Sequence, residues 1–426
     1  TYPVTYQVVD IIRGGMILFT LILILLYTGE LVWKERGVRI DEIHDALPHP
    51  VWVTAMGKFV AMIGLLAVLQ VLLIGIGVAS QALQGYYEFE LGVYVAEFLG
   101  ADLLYLSMLA VVSLLIHVAV SSRFVGYFLF AVFWIANQFI WGPLKLQSLM
   151  VRFGATPSYI YSDMNGYGPF VPGLIWFHVY WLLFAGLLLV VTVLWWRRGG
   201  DRTLAARGVA ARRRLRGGAL ASAAVLGTAW LATAGFVYHN TQVLNDYPGT
   251  RTSEDRAEAY ERQFKGSYQG MAQPRAVDLR YEIDIDPEER TLRFRGSMLL
   301  TNKTPAPIDT LFLNLDADVG MTVEIPDGRL ARSDADLGVH FYHLDPALEP
   351  GDTVRVGFAG AYVSQGFENQ VRVTQVVQNG SFFNNGFVTP SLGYQPGREL
   401  QSRNERRKRD LPERDRMPPL ERNCTD

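Results

Sequence analysis

Apolar positions follow two different rhythms along the chain. Six nearly uncharged runs come first, approximately Ile11 to Trp33, Val53 to Ser80, Phe98 to Val120, Phe124 to Trp141, Gly173 to Trp196 and Gly218 to Tyr238. Crossing about 30 Å of hydrocarbon takes roughly 20 apolar residues of helix, because inside lipid every backbone amide must be satisfied within the segment. Each run is therefore expected to span a membrane. A polar, helix-prone stretch from Ser253 to Phe264 follows.

Beyond it the period becomes two. Val277, Leu279, Tyr281, Ile283 and Ile285 alternate with Asp278, Arg280, Glu282, Asp284 and Asp286, the pattern of a strand with one buried and one wet face. Pro287 to Arg290 forms the turn, and Leu292, Phe294, Met298 and Leu300 line the partner strand. Further strands are expected at Leu311 to Leu315 and at Val354, Val356 and Phe358. Short strands at this spacing indicate an antiparallel sandwich or saddle. The expected fold is a polytopic α-helical membrane bundle in residues 1–240, a linker with a short helix in 241–274, and an all-β domain in 275–426.

Charge sharpens the division. Residues 1–239 carry 28 Lys, Arg, Asp and Glu, whereas residues 240–426 carry 52. Those of the first part are also unevenly placed. Lys34, Arg36, Arg39, Lys58 and Arg123 lie between alternate spans, and Arg197, Arg198, Arg202, Arg207, Arg212, Arg213, Arg214 and Arg216 form a third basic loop; the opposite loops hold only Arg13, Lys145 and Arg152. The positive-inside rule makes the rich side cytoplasmic, with Arg197, Arg198, Arg212, Arg213, Arg214 and Arg216 as topology anchors, and leaves the β-domain periplasmic or extracellular at an inner or plasma membrane. A nucleic-acid or anionic-lipid site is the alternative use of the cluster from Arg197 to Arg216, in which Asp201 is the one acid. The formal net charge of −2, with no basic stripe outside the membrane flanks, argues against a nucleic-acid partner.

Candidate chemistry is sparse. Within the spans Gln70, Glu97, Asp102, His117, Asn137, Gln138 and His178 are polar, and they serve either helix packing or a substrate path. Trp141, Tyr159, Tyr161 and Tyr167 fit an aromatic belt at headgroup level. Gly57-Lys58 lacks the Ser or Thr and the upstream glycine of a phosphate-binding loop, so any ATPase must be a separate subunit. His340 and His343 are too few for a zinc site, and His44, His49 and His239 sit at membrane flanks. The single cysteine, Cys424, reads as inert, and no catalytic residue can be named. Asn302, Asn379 and Asn423 match glycosylation acceptors, and the first two read as turn residues.

The segment Lys34-Glu-Arg-Gly-Val-Arg-Ile-Asp-Glu-Ile-His-Asp-Ala-Leu-Pro-His-Pro50 places Ile40, Ile43 and Leu47 at helical spacing among Asp41, Glu42 and Asp45, with Pro48 as the stop. A short amphipathic helix against the membrane face is expected. With its charged Glu-Arg turn, acidic face, Asp-x-x-Pro ending and following Gly-Lys, the segment resembles the permease subunits of the second ABC exporter class. That resemblance implies that Arg36, Ile40, Ile43, Asp45 and Leu47 couple to a separate ABC ATPase.

A second resemblance covers the β half. Tyr281 to Asn302 followed by Ile308 to Leu315 is similar to the N-terminal β-domain of the aminopeptidase N family of zinc peptidases. Asn379 to Tyr394 and Arg414 to Leu420 look closer still to bacterial proteins in which an ABC-type membrane region is fused to such a peptidase. The resemblance implies a peptide substrate and a zinc-binding catalytic domain after Asp426. The chain itself carries no H-E-x-x-H, so it holds no cofactor of its own and reads as a fragment. Two uses of the helices are then open: transport driven by the ATPase, or simple anchoring of a peptidase or peptide-binding module. Six spans are few for such an assembly, and a homodimer or missing upstream spans would complete it.

Overall fold

The structure, a computed structural model, describes residues 2–198, 204–245, 247–316, 319–370, 375–378 and 380–414. Arg202, Asn379, Asn423, Cys424 and residues 415–420 lie outside the described residues. The chain divides into two units, Thr1–Tyr247 with Gly366–Val371, and Pro248–Gln365 with Arg372–Asp426.

The first unit is helical. Its elements are α1 (Thr5–Gly37), α2 (Asp41–Ala46), α3 (Val51–Leu83), α4 (Leu91–Tyr94), a π-helical turn (Val95–Asp102), α5 (Leu103–Ala119), α6 (Arg123–Phe139), α7 (Val171–Trp195), α8 (Leu204–Arg214) and α9 (Gly218–Tyr238). Five helices are long and apolar enough to cross a membrane: Thr5–Gly37, Val51–Leu83, Leu91–Ala119, Gly168–Trp195 and Gly218–Leu244. The sixth expected span is α6, a helix of 17 residues, about 25 Å at 1.5 Å per residue. It falls short of the length of the other five, running only from the extended Ser122 to Phe139. The unit is a multi-pass membrane bundle.

The bundle is built around α5. Met108, Leu109, Ala110, Val111, Val112 and Leu114 are all buried, so this helix is apolar on every side and enclosed by its neighbours. Leu21 and Ile24 of α1, Met62 and Leu66 of α3, Phe130 of α6 and Phe177 and Trp181 of α7 complete its core. Two glycines let α6 approach: a Cβ on Gly126 would meet the His117 ring of α5, and one on Gly29 of α1 would meet Tyr127. The outer faces remain apolar and uncovered, as lipid-facing helices require; Val60 and Val225 are 61% and 69% exposed.

The second unit is a sandwich of two antiparallel sheets. β1 (Arg275–Asp286), β2 (Thr291–Thr301), β3 (Ile308–Asn314), β4 (Thr322–Glu324), β5 (Gly328–Asp334), β6 (Val339–Leu348), β7 (Thr353–Val363) and β8 (Ser391–Leu392) form one sheet in the order β1-β2-β7-β4 and another in the order β5-β6-β3-β8. Leu292, Phe294, Met298, Leu300, Val356 and Phe358 of the first sheet meet Leu311, Leu313, Leu344 and Leu348 of the second. Gly296 lies between Tyr281 and Phe358 in the pairing of β1, β2 and β7, and the two rings approach to 5.9 Å across it.

One expectation fails here. The apolar row of β1 stays uncovered, with Val277 47%, Leu279 36%, Ile283 40% and Ile285 38% exposed. It continues the buried row of β2, since Ile283 pairs with Phe294 and Ile285 with Leu292, but β1 is the edge of its sheet and overhangs the core. Tyr281 alone reaches inward, its hydroxyl hydrogen-bonded to Thr389 Oγ1 at 2.7 Å.

The stretch read as a linker contains α10 (Thr250–Tyr268), which belongs to the sandwich unit. Its Tyr260 and Phe264 pack on Phe312 and Phe341, the outer face of the second sheet. Short helices α11 (Asn385–Val388) and α12 (Arg403–Lys408) follow β7. Arg406 of α12 grips Glu261 of α10 with two bonds of 2.7 Å, both side chains being buried. Lys265 bridges Glu261 and Glu399 at 3.1 Å each, so the buried acids are matched by cations rather than left alone.

Candidate coupling site and intramembrane charge cluster

Chain reversal at the end of α1 sets up the first site. Arg39 adopts a left-handed φ of 59°, and the Ile40 amide returns to the Glu35 carbonyl, which stops α1 and turns the backbone into α2. Only Asp41–Ala46 is helical; Ile40 and Leu47 flank it as caps. Ile40, Ile43 and Leu47 are 49%, 71% and 53% exposed, so the described chain leaves much of the apolar row of α2 uncovered. Arg36 lies back over the Trp33 ring at 4.9 Å, and Lys58 reaches Glu35 at 2.9 Å, tying α3 to α1 beside it. The Asp45 carboxylate faces the His44 ring at 3.9 Å, and the His44 and His49 rings meet edge-on at 4.6 Å.

Six residues of helix hold little order alone. The order comes from Arg198, which follows α7. Its Nε donates to the Asp45 carbonyl at 3.1 Å, Nη1 to His49 at 2.9 Å and Nη2 to Leu47 at 2.6 Å. A planar guanidinium presents several donors in a fixed fork, and here it gathers the carbonyls of the α2 terminus, where the helix dipole also favours a cation.

Two more arginines of the same basic segment act alike. Arg207, fully buried, donates through Nη1 to the Val118 carbonyl at 2.8 Å and the Ala119 carbonyl at 3.0 Å, closing the end of α5. Arg214 donates to Leu194 at 3.2 Å and Trp196 at 2.6 Å, closing α7. Residues expected only to mark topology therefore also cap three helices. Arg197 is half-buried, whereas Arg212, Arg213 and Arg216 are exposed.

At the opposite end of the bundle the structure joins polar residues that looked scattered. Arg13 of α1 donates through Nε to Asp102 at 3.0 Å and through Nη2 to Glu97. Glu97 also accepts from Tyr159 at 2.6 Å and Tyr167 at 2.7 Å, and Glu90 accepts from Tyr161 at 2.8 Å. The π-turn explains the meeting of Glu97 and Asp102: its wider winding brings residues five apart toward one face, as an α-helix does not. Burial, then the hydrogen bond to Glu97, raises the Tyr159 and Tyr167 hydroxyls well above the usual tyrosine range. The bond to Glu90, ahead of burial, pushes Tyr161 up to about 12. All three phenols stay protonated donors at neutral pH.

Cavities flank this cluster. One of 340 Å³ is lined by Glu97, Tyr159, Tyr167 and His178, and one of 410 Å³ by Asp10, Arg13, Asp102 and Gln70, whose Oε1 is buried without a hydrogen bond. Of the aromatic residues assigned to a headgroup belt, Tyr159 and Tyr167 thus serve Glu97 and Tyr161 serves Glu90, while Trp141 donates to the Asn137 carbonyl; the polar residues Asn137 and Gln138 also have fixed partners, Phe153 and Arg152. The signal for the cluster was the pair of acids five apart beside a tyrosine-rich loop. His117 is wholly buried beside Tyr127, with ring centroids 5.2 Å apart.

In the sandwich, His340 and His343 stand three apart on β6, hence on opposite faces, with His340 Nδ1 and Ser333 Oγ 3.1 Å apart. Among the described residues no group of three or more His, Cys, Asp or Glu is arranged to hold a metal ion. Asn302 is a turn residue: its amide nitrogen donates to Ala306 and Leu348, both at 2.8 Å, and its carbonyl oxygen accepts from the Thr304 amide at 2.9 Å. Comparison with protein-family models, with curated proteins and with solved structures yields no match to this chain.

Proposed function

We propose that the helical unit is the permease region of an ABC-type exporter, with α2 as the element on which a separate cytoplasmic ATPase subunit bears. The observation that carries this reading is the clasp of Arg198 on α2. A short helix with an uncovered apolar row is held at its end by a residue continuous with α7, so displacement of α2 by a partner is delivered directly to a core helix of the bundle. Ile43 and its neighbours offer the apolar contact and Asp45 the charged one. The intramembrane cluster of Arg13, Glu97 and Asp102 lies at the other end of the same helices, where a substrate passing the bundle would meet charge. In this reading the basic end is cytoplasmic and the sandwich extracytoplasmic.

The sandwich supports the remaining part of the proposal, a zinc aminopeptidase whose catalytic domain follows this chain. The uncovered row Leu279, Ile283 and Ile285 on the β1 edge is a surface of the kind a further domain covers. Zinc and the peptide-cleaving residues would belong to that domain.

The first test is whether an ATP-binding-cassette gene lies beside the gene of this protein, its absence favouring the anchor; the second co-expresses that subunit with this chain. Replacing Ile43 and Asp45 together, as I43D/D45A, is expected to detach that subunit or abolish the stimulation of its ATPase. Unchanged co-purification together with unchanged stimulation sinks the permease reading, and the helices then serve as the anchor of a peptidase or peptide-binding module. Reading the frame beyond Asp426 for H-E-x-x-H with a downstream glutamate tests the peptidase part separately.

A further inference from the structure

A third cavity, of 760 Å³, lies at the arginine-bearing end of the bundle between α3, α7 and α9. Trp52 and Met56 form one wall, Gly186 and Val190 the second, and Gly218 and Ser222 the third. Gly186 and Gly218 carry no side chain, which leaves a trough between helices that otherwise present bulky aliphatic residues. Among the described residues Arg198 and Arg214 are the charged side chains that line it. The hydrogen bonds of Arg198 run to the backbone carbonyls of Asp45, His49 and Leu47, which carry no net charge. Both α3 and α9 begin there without a capping side chain or an acid in the first turn, while the carbonyl end of α7, which also lies there, is already met by Arg214.

The cavity runs along three helices of membrane-spanning length, and its neighbours on them, such as Val60 and Val225, face outward uncovered. An apolar trough between spanning helices that ends in two guanidinium groups is complementary to a single amphiphile. We propose that it binds an anionic phospholipid of the leaflet at that end, one acyl chain lying between α3, α7 and α9 and the phosphate meeting Arg198 and Arg214. Arg198 then connects lipid and α2, since the guanidinium that meets the phosphate also holds the carbonyls of Asp45 and Leu47. The inference does not rest on an ATPase partner.

The experiment is native mass spectrometry of the full chain, delipidated in neutral detergent and titrated with phosphatidylglycerol, phosphatidylcholine or inorganic phosphate. Phosphatidylglycerol is expected to be retained about tenfold more strongly than phosphatidylcholine, and phosphate alone not to compete for it. R214Q should weaken retention about fivefold, the worth of one cation facing an anionic headgroup. S222F fills the trough while leaving both arginines, and should abolish selective retention; R212Q, on the exposed side of α8, should change nothing. Thermal unfolding without lipid checks that each variant is folded. Equal retention of the two lipids, displacement by phosphate alone, or equal losses in R212Q and R214Q would each overturn the proposal, as would full binding by folded S222F.

Discussion

Arg198 and Leu47 stand far apart in sequence, yet the Arg198 Nη2 donates to the Leu47 carbonyl at 2.6 Å. Through this bond and its companions to Asp45 and His49, a residue that follows one spanning helix holds the end of a short helix between two others. The order of α2 is thus imposed from outside its own sequence.

Removing the clasp should release α2 without unfolding the bundle. Charge-assisted hydrogen bonds are worth about 1.5–3 kcal/mol each at most, and water replaces part of that at an exposed carbonyl, so a local loss of about 2 kcal/mol is expected for R198A. Amides between His44 and His49 should then exchange with deuterium roughly thirtyfold faster. R198K should fall between, because an ammonium is a point charge and cannot reproduce the fork. Unaltered exchange in R198A would show that α2 is held by something else.

Glu97 is the hub of the opposite end. E97Q keeps the shape but removes the charge that Arg13, Tyr159 and Tyr167 share; Arg13 is 29% exposed and keeps Asp102, so the loss should be about 2 kcal/mol, below that of a fully buried pair. Y159F removes one neutral donor and should cost about 1 kcal/mol. The thermal midpoint of the full chain in detergent should drop more for E97Q than for Y159F, and the double variant should lose less than the sum, since both act on one network. Additive losses would count against the shared site.

Acid should loosen the grip of α12 on α10. Burial raises the Glu261 carboxyl, but the hydrogen bonds from Arg406 and Lys265 outweigh it and hold the group below its usual value. Glu258 is lowered by Arg409 first and then by Arg262. A depressed folded-state value contributes stability that is complete above the unfolded value, about 4.3, and is lost as pH falls through the folded value. The sandwich unit should therefore keep its protease resistance from neutral pH to about pH 4.5 and lose it progressively below. In E261Q that acid-sensitive part should shrink; a profile identical to the wild type would rule Glu261 out as its source.

The β1 edge and the centre of β2 should answer substitution differently. A Cβ on Gly296 would stand 2.5 Å from the Phe358 ring and 2.7 Å from the Arg280 carbonyl, which is backbone and cannot swing away. G296A is expected to cost about 1–3 kcal/mol, the usual range for overpacking. I283T, on the uncovered edge, should stay within about 0.5 kcal/mol. Urea unfolding read by proteolysis of the sandwich distinguishes the two, and equal sensitivity would place β1 inside a core.

Much of this architecture was legible in local pattern. Five spans, the strand rhythm of β1 and β2 and the bend into α2 each follow from the run length or period of neighbouring residues, a property the chain carries wherever it is placed. The length of α6 fell short because hydropathy does not mark where a helix ends, and the cover over β1 was overestimated because alternation shows which face is apolar but not which strand is the edge. In the candidate site, Ile40, Ile43 and Leu47 were marked by helical spacing and Arg36 and Asp45 by the resemblance of their segment; the relation of that segment to Arg198 was not legible, since a guanidinium reaching three carbonyls leaves no trace in either stretch.

What the sequence by itself determined is the division into a lipid-compatible half and a water-compatible half, because transfer between water and hydrocarbon depends on composition residue by residue. What only the tertiary structure decided is which polar groups meet: Arg13 with Glu97 and Asp102, Arg198 with the end of α2, Arg406 with Glu261. A buried charge or an open helix end is costly until a partner arrives, and the partner is supplied by packing, at a distance along the chain that no local period encodes.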